Sequence, residues 1–390
     1  MAAILYKPQK TPINLFFSCQ LDTWLRVLKS IFLEFKMLYK SLLTLTLATT
    51  STLASSLRRD VHKGFGNVDT LVVFGDSYTD EGRLGYMQGN GGALPPDNFV
   101  PSQDSINGAA SGGKIWARIA SDLSGHTLIN YAVSGAVCSN NLTPRWLDGI
   151  NGNFPAVREY EVPQFKKEHT ITRYKGPGNL NPDKAVFAIW IGTNDLGSGA
   201  LLTDEHLPGV TLPDYTDCVA EQIRELYDYG ARKFIILNVA PLERASHYTQ
   251  NGPNHYWHER DSFLEGNTTA ISQKMGTHVR SANQIFKYQI PALADELRGS
   301  KVALLDAYAI FQEIYANPSK YLDSPADTVG YASRCDTWED CNSWTNTVDP
   351  NPDRFLWWDE LHPGVKTSTV VAQEFVKALR KESDFATYYF

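Results

Sequence analysis

From residue 70 onward the sequence alternates short, β-branched apolar runs with longer stretches of helical spacing, and this restricts the chain to repeated strand-helix-strand units. The apolar runs fall at 70–74, 128–133, 185–191, 233–239 and 301–305. The third, Ala185-Val-Phe-Ala-Ile-Trp-Ile191, lacks polar alternation, as expected of a parallel strand buried on both faces. Between the runs the spacing predicts helices over 114–123, 214–229 and 261–297, the last broken near Pro291, and a final helix over 366–381. No fixed-period repeat or low-complexity linker interrupts residues 65–390. These elements therefore predict one α/β domain, a three-layer α/β/α sandwich around a mainly parallel five-stranded sheet. Two irregular stretches rich in Gly, Pro, Asn and Asp, 82–113 and 322–355, are long enough to line a site.

The amino end divides differently. Met37-Leu38-Tyr39-Lys40, an apolar run over 42–48 and then Thr52-Leu53-Ala54 have the basic start, short apolar middle and small-residue exit of a secretory signal, with cleavage expected after Ala54. Because a signal is not expected to start this deep, residues 1–36 are expected to be an upstream extension or a misassigned start, the latter placing the initiator at Met37. Asp22, Arg26, Lys29 and Glu34 interrupt the apolar stretch at 13–35 too often for a membrane-spanning helix, so no stable membrane insertion is expected.

Charge and cysteine usage fit export. The formal net charge of −7 becomes −11 once residues 1–54 are removed, since they carry six basic and two acidic side chains. With no dense Lys/Arg block, nothing in the chain is suited to a phosphate backbone, which excludes nucleic acid as a partner. Four cysteines remain after cleavage, and two disulfides are expected: Cys335 with Cys341 across a short loop and Cys138 with Cys218, one of three possible connectivities. No Cys/His spacing suits zinc. Asn141-Leu-Thr143 and Asn267-Thr-Thr269 are N-glycosylation acceptor triplets.

Ligands of an open α/β sheet bind beyond the carboxyl ends of its strands, so the residues following each strand carry the functional information. After the first strand come Gly75-Asp76-Ser77-Tyr78-Thr79-Asp80, which place a serine at the mouth of the sheet; the same residues also suit an ordinary turn or helix cap. After the third come Gly192-Thr193-Asn194-Asp195, where Asn194 has an amide able to meet a developing oxyanion or to make an Asx turn. Near the carboxyl end, Asp359 precedes His362 by three residues, a spacing that lets a carboxylate orient an imidazole while the far ring nitrogen takes a proton from a serine.

The four blocks GDSYTD (75–80), NYAVSGA (130–136), GTND (192–195) and DELHPG (359–364) occur in the order found in the SGNH or GDSL hydrolases, and from about Asp69 to its end the chain resembles that family. The resemblance implies an SGNH-like α/β/α fold and a serine esterase. It makes Ser77 the nucleophile, His362 the base and Asp359 the residue that orients the base. It draws the oxyanion hole from the backbone N–H groups of Ser77 and Gly135 and the side chain of Asn194. It implies no cofactor and no metal. Tyr78 stands where the family name has leucine, a packing position. An α/β-hydrolase assignment is disfavoured because no G-x-S-x-G elbow surrounds Ser77.

Within the family, the segment Phe355-Leu-Trp-Trp-Asp-Glu-Leu-His362 and the block around Ile189-Trp-Ile-Gly-Thr-Asn194 resemble fungal secreted acetylesterases of carbohydrate esterase family 16. This implies a small-molecule or oligosaccharide ester as substrate, such as acetylated xylo-oligosaccharides. Trp357 and Trp358, next to Asp359, are candidates to stack on a sugar or grip an acyl chain. The alternatives are a lipase or phospholipase, with 82–113 as its lid, and a non-catalytic secreted carbohydrate-binding protein on the same fold. His169, His206, His247, His255 and His258 have no motif around them and are expected to be surface or structural. A monomer is the default expectation.

Overall fold

The computed structural model describes residues 64–250, 267–334 and 346–390; the leader, Cys335, Cys341, His255 and His258 lie outside them. The apolar runs form the strands β1 (Thr70–Gly75), β2 (Thr127–Asn130), β3 (Ala185–Trp190), β4 (Lys233–Leu237) and β5 (Lys301–Leu305), and a sixth, β6 (Ala386–Tyr389), follows the last helix. The spatial order is β6-β5-β4-β3-β1-β2. All neighbours are parallel except β6, which runs antiparallel to β5 with Ala386 opposite Leu305 and Tyr389 opposite Val302. The five-stranded expectation is thus corrected to six. Strand β6 is a four-residue edge strand, and its pairing with β5 is a long-range contact without a local sequence signal.

The principal helices are α1 (Trp116–Ser124), α2 (Val162–Glu168), α3 (Leu212–Asp228), α4 (Thr268–Glu296), α5 (Ala307–Ala316) and α6 (Val365–Arg380). Helix α6 packs on α1 and α5, whereas α3 packs on α4. On the first side Trp116 lies 6.0 Å from Trp190 and 4.9 Å from Phe375, ring centroid to centroid. On the second, Phe165 contacts Phe74, Tyr131 and Phe187 at 6.0, 5.8 and 5.4 Å. Because Phe165 is fully buried at the centre of that cluster, truncating it to alanine is expected to cost about 3–5 kcal/mol.

Helix α3 starts two residues before its expected position. Pro213 is accommodated in the first turn, and the Asp214 carboxylate accepts hydrogen bonds from the Thr211 N–H (2.7 Å) and hydroxyl (2.6 Å). The expected break near Pro291 does not occur. Helix α4 runs through it, with Phe286, Ile290 and Leu293 buried around the proline. Their burial offsets the roughly 3 kcal/mol that an interior proline costs a helix.

The irregular stretches contain local structure. Residues 82–113 hold the short helices Arg83–Gly89 and Gln103–Asn107. Strand Asp327–Tyr331 pairs in parallel with Phe355–Trp357, and Ser333–Arg334 pairs antiparallel with Thr347–Val348. The Phe355–Trp357 pairing delivers the following loop, 358–364, to the carboxyl end of β1. There the strand order reverses, with β2 on one side and β3 on the other, which is where ligands of open α/β sheets bind.

Candidate active site

Ser77 lies just beyond β1 in a tight turn. The Thr79 and Asp80 N–H groups both donate to the Asp76 carbonyl at 2.9 Å, and the Asp76 carboxylate accepts from the Tyr78 N–H at 3.0 Å. Tyr78 then points inward, its ring packed edge-on to Trp190 (5.2 Å) and His362 (5.9 Å), and its hydroxyl donates to the Leu361 carbonyl at 2.8 Å. The packing residue of the first block therefore ties the serine turn to the histidine loop.

That loop is closed on itself. The Trp358 N–H donates to the His362 carbonyl at 2.7 Å, and Asp359 Oδ1 accepts from the N–H groups of Leu361 (2.9 Å) and His362 (2.7 Å). With the backbone so fixed, His362 Nδ1 lies 2.9 and 2.8 Å from the two Asp359 carboxylate oxygens, and Nε2 lies 2.8 Å from Ser77 Oγ. The three sequence-predicted residues form one hydrogen-bonded series. Burial on its own would lower the His362 pKa, but the charge and hydrogen bond of Asp359 outweigh it and the net shift is upward. Burial likewise tends to raise Asp359, yet His362 and the backbone donors hold it below the ordinary carboxylate range.

Gly135 and Asn194 are also brought together. The turn after β2 begins with Asn130, whose Nδ2 donates to the Thr79 carbonyl (2.6 Å) and whose Oδ1 accepts from the Ala132 N–H (3.0 Å), ending the strand three residues before the predicted boundary. Asp80 Oδ2 accepts from the Ser134 N–H at 2.8 Å, and Asn194 Nδ2 donates to the Ala136 carbonyl at 2.8 Å. Gly135 has φ +82°, and a Cβ there would lie 2.2 Å from the Phe154 ring, so only glycine fits. Among the described residues, the N–H groups of Ser77 and Gly135 have no acceptor. Asp195 Oδ1 accepts from the Cys138 N–H at 2.8 Å, and Cys138 is disulfide-bonded to Cys218 of α3, which agrees with the expected pairing.

Several buried acids surround this centre. Burial pushes Asp76 up to about 6 and Asp195 up to about 7. Glu360 rises to about 7 through burial and the charge of Asp359. Glu161, fully buried, accepts from the Gly75 N–H at 2.9 Å and is raised well above the usual range, first by burial.

The tryptophans separate into two kinds. Trp357 is a core residue whose Nε1 donates to the Tyr315 hydroxyl at 2.9 Å, so it cannot reach a substrate. Trp358 is half-buried, its ring close against Gly112, where a Cβ would come within 2.3 Å of it and φ is +70°. The rings of His169 and His206 donate locally, to the Gly178 carbonyl at 3.3 Å and the Leu207 carbonyl at 3.0 Å. His247 has a structural place: its N–H donates to the Glu360 carbonyl at 2.8 Å, its ring packs edge-on against Tyr248 at 4.5 Å, and burial draws its pKa down to about 3 against the opposing charge of Asp359. Arg145 and Phe154 also border the site without any motif around them. A cavity of about 610 Å³ opens elsewhere, between α4 and β6, and contains neither Ser77 nor His362.

Comparison with known proteins bears on this arrangement. The sequence profile described as GDSL-like Lipase/Acylhydrolase matches residues 71–375, which is most of the chain. The chain belongs to the GDSL hydrolase family. It is 34% identical over 328 residues to an acetylesterase of Hypocrea jecorina, covering 82% of this chain and 91% of the relative. It is 24% identical over 342 residues to an acetylesterase of Thermothelomyces thermophilus, covering 86% and 97%. Among solved structures, an acetyl xylan esterase from Geobacillus stearothermophilus aligns with a TM-score of 0.39 at 16% identity, covering 80% of this chain and 95% of the other. As a GDSL hydrolase with an α/β/α fold, the protein is a carboxylic ester hydrolase.

Proposed function

We propose that the chain is a secreted serine acetylesterase that removes acetyl groups from hemicellulose-derived oligosaccharides. The hydrogen-bonded series Ser77 Oγ, His362 Nε2 and Nδ1, and Asp359 carries the mechanistic part of this reading. His362 takes the Ser77 proton as Oγ attacks the ester carbonyl, and Asp359 stabilises the imidazolium that forms. The N–H groups of Ser77 and Gly135 and the Asn194 amide bind the tetrahedral oxyanion. His362 then protonates the leaving alkoxide, and water, activated by the same ring, releases acetate from Ser77. These steps use side chains and backbone donors alone.

The acetyl and sugar parts rest on the acetylesterase relatives and on the half-buried Trp358 ring beside Asp359. Secretion rests on the sequence over 37–54 and on the Cys138–Cys218 disulfide, a bond that persists in oxidising compartments. A longer-chain lipase is the second reading, favoured by the exposed Leu94 and Val100 in the stretch after the serine turn.

The test is turnover of p-nitrophenyl acetate, butyrate and palmitate by protein beginning at Ser55, beside Ser77→Ala, followed by acetate release from acetylated xylo-oligosaccharides. Acetate preference that extends to the sugar and vanishes in Ser77→Ala is expected. Palmitate preference would select the lipase, and undiminished turnover by Ser77→Ala would remove the mechanism. Retained oligosaccharide binding with no esterase activity would identify a carbohydrate-binding protein.

A further inference from the structure

We propose that Arg145 is a positioning residue for the oxyanion hole, acting through the carbonyl of Gly135; this rests on the catalytic reading above. Arg145 lies outside all four sequence blocks, in the irregular segment between β2 and α2. Its Nη1 donates to the Gly135 carbonyl at 2.7 Å, and its guanidinium stacks over the Phe154 ring at 5.1 Å. Phe154 is the ring that closes over Gly135, and its own N–H donates to the Arg145 carbonyl at 2.9 Å. Arg145, Phe154 and Gly135 thus form one packed unit.

The consequence follows from peptide geometry. Each peptide plane carries the carbonyl of one residue and the N–H of the next. The plane after Gly135 is held at both ends, by Arg145 on its oxygen and by the Ala136 N–H donating to the Val133 carbonyl at 3.0 Å. The plane before Ser134 is held through the Ser134 N–H by Asp80. Between them lies the plane bearing the Gly135 N–H, the proposed oxyanion donor, which is aimed only by the two fixed planes around it. Without Arg145 the Gly135 carbonyl loses its anchor and that donor gains freedom to rotate. An oxyanion hole depends on donors already in place when charge develops, so the loss falls on the transition state rather than on substrate binding.

Electrostatics point the same way. Burial draws the Arg145 pKa down, while Tyr248, Asp195 and Asp76 act on it in the opposite sense, so the cation sits close to two buried acids of the site. Its charge acts to lower the Asp195 pKa, against the burial that raises it, and the Asp195 carboxylate also anchors the Cys138 N–H of the same turn.

Arg145→Ala and Arg145→Lys are the variants to measure, with p-nitrophenyl acetate as substrate and an alkyl boronic acid as a probe of the tetrahedral state. Arg145→Ala is expected to lower kcat about 10- to 100-fold with KM changed less than about twofold, and to weaken the boronic acid in parallel. Added guanidinium ion is expected to restore part of kcat, and Arg145→Lys to fall between the two. If Arg145→Ala does not fold, Arg145→Lys and Phe154→Leu carry the same comparison with smaller losses. An unchanged kcat in a folded variant, or a loss confined to KM, would overturn the assignment. Ser77→Ala separates the two failures: if it abolishes turnover while the Arg145 variants are silent, only the role of Arg145 falls, whereas persistent turnover in Ser77→Ala removes the catalytic reading itself.

Discussion

Replacing Asp359 by asparagine isolates the chemistry of the histidine loop from its architecture. Asp359 Oδ1 accepts from the Leu361 and His362 N–H groups at 2.9 and 2.7 Å, and an amide oxygen can keep both bonds, so the loop persists. The amide nitrogen then faces His362 Nδ1, where a carboxylate oxygen stands at 2.8 Å in the wild type. An N–H donor there makes Nδ1 an acceptor and moves the ring proton to Nε2, the nitrogen directed at Ser77 Oγ, so the base can no longer receive the serine proton. The expected loss in kcat is about 10⁴-fold, equivalent to about 5.4 kcal/mol of transition-state stabilisation. The pH profile adds a second, independent reading. Asp359 holds the His362 pKa above 6.5, and the ring must be neutral to act, so wild-type kcat/KM rises with pH to a half-point above 6.5. Without the carboxylate charge, burial dominates and the half-point of the residual activity moves to lower pH. The assay is kcat and kcat/KM for p-nitrophenyl acetate across pH, with Ser77→Ala as background and circular dichroism to establish folding. A folded Asp359→Asn enzyme within about tenfold of wild type, or one whose half-point stays in place, would refute this account of the base.

Three further outcomes are expected. Asn194→Ala should lower kcat by roughly 10²–10³ with little effect on KM, because it removes a proposed oxyanion donor; an effect on KM alone would argue against that role. Replacing Cys138 and Cys218 together by serine opens a loop of 80 residues and should cost about 4 kcal/mol in urea unfolding, and a change below about 1 kcal/mol would contradict it. Asp76 and Asp195, raised to about 6 and about 7 from 3.8, keep protons in the folded protein that the unfolded chain has released, so their contribution to stability is greatest at low pH and is lost as pH rises towards 7. The urea midpoint should accordingly fall between about pH 4 and about pH 7, and Asp195→Asn, which keeps an acceptor for the Cys138 N–H, should flatten that fall; an identical slope in the variant would count against it.

The parts of the molecule legible in the sequence are those with local causes. Strands β1 to β5 are apolar runs long enough to declare themselves, and Ser77, Asn194 and His362 each follow an element whose end the sequence marks with polar or glycine residues. What the sequence concealed depends on distant partners. Strand β6 is four residues whose structure comes from pairing with β5, and α4 tolerates Pro291 because of burial contributed by the sheet. Trp357 and Trp358 are adjacent and identical in type, yet one is sealed against Tyr315 and the other half-buried beside Gly112. Arg145 and His247 reach the site from irregular segments, and only the folded chain brings them near Gly135 and Glu360.

The contact between the Tyr78 hydroxyl and the Leu361 carbonyl joins positions 283 residues apart, and Ser77 and His362 are separated by 285. During synthesis the serine turn, the Gly135 corner and Asn194 leave the ribosome long before the histidine does. On the proposed mechanism, a nascent chain therefore carries the serine without its base and cannot consume esters until the last loop has emerged. In refolding, the docking of loop 358–364 onto Tyr78 closes a contact of very high sequence separation, so recovery of esterase activity is a clock for that closing event and should lag the return of helical signal.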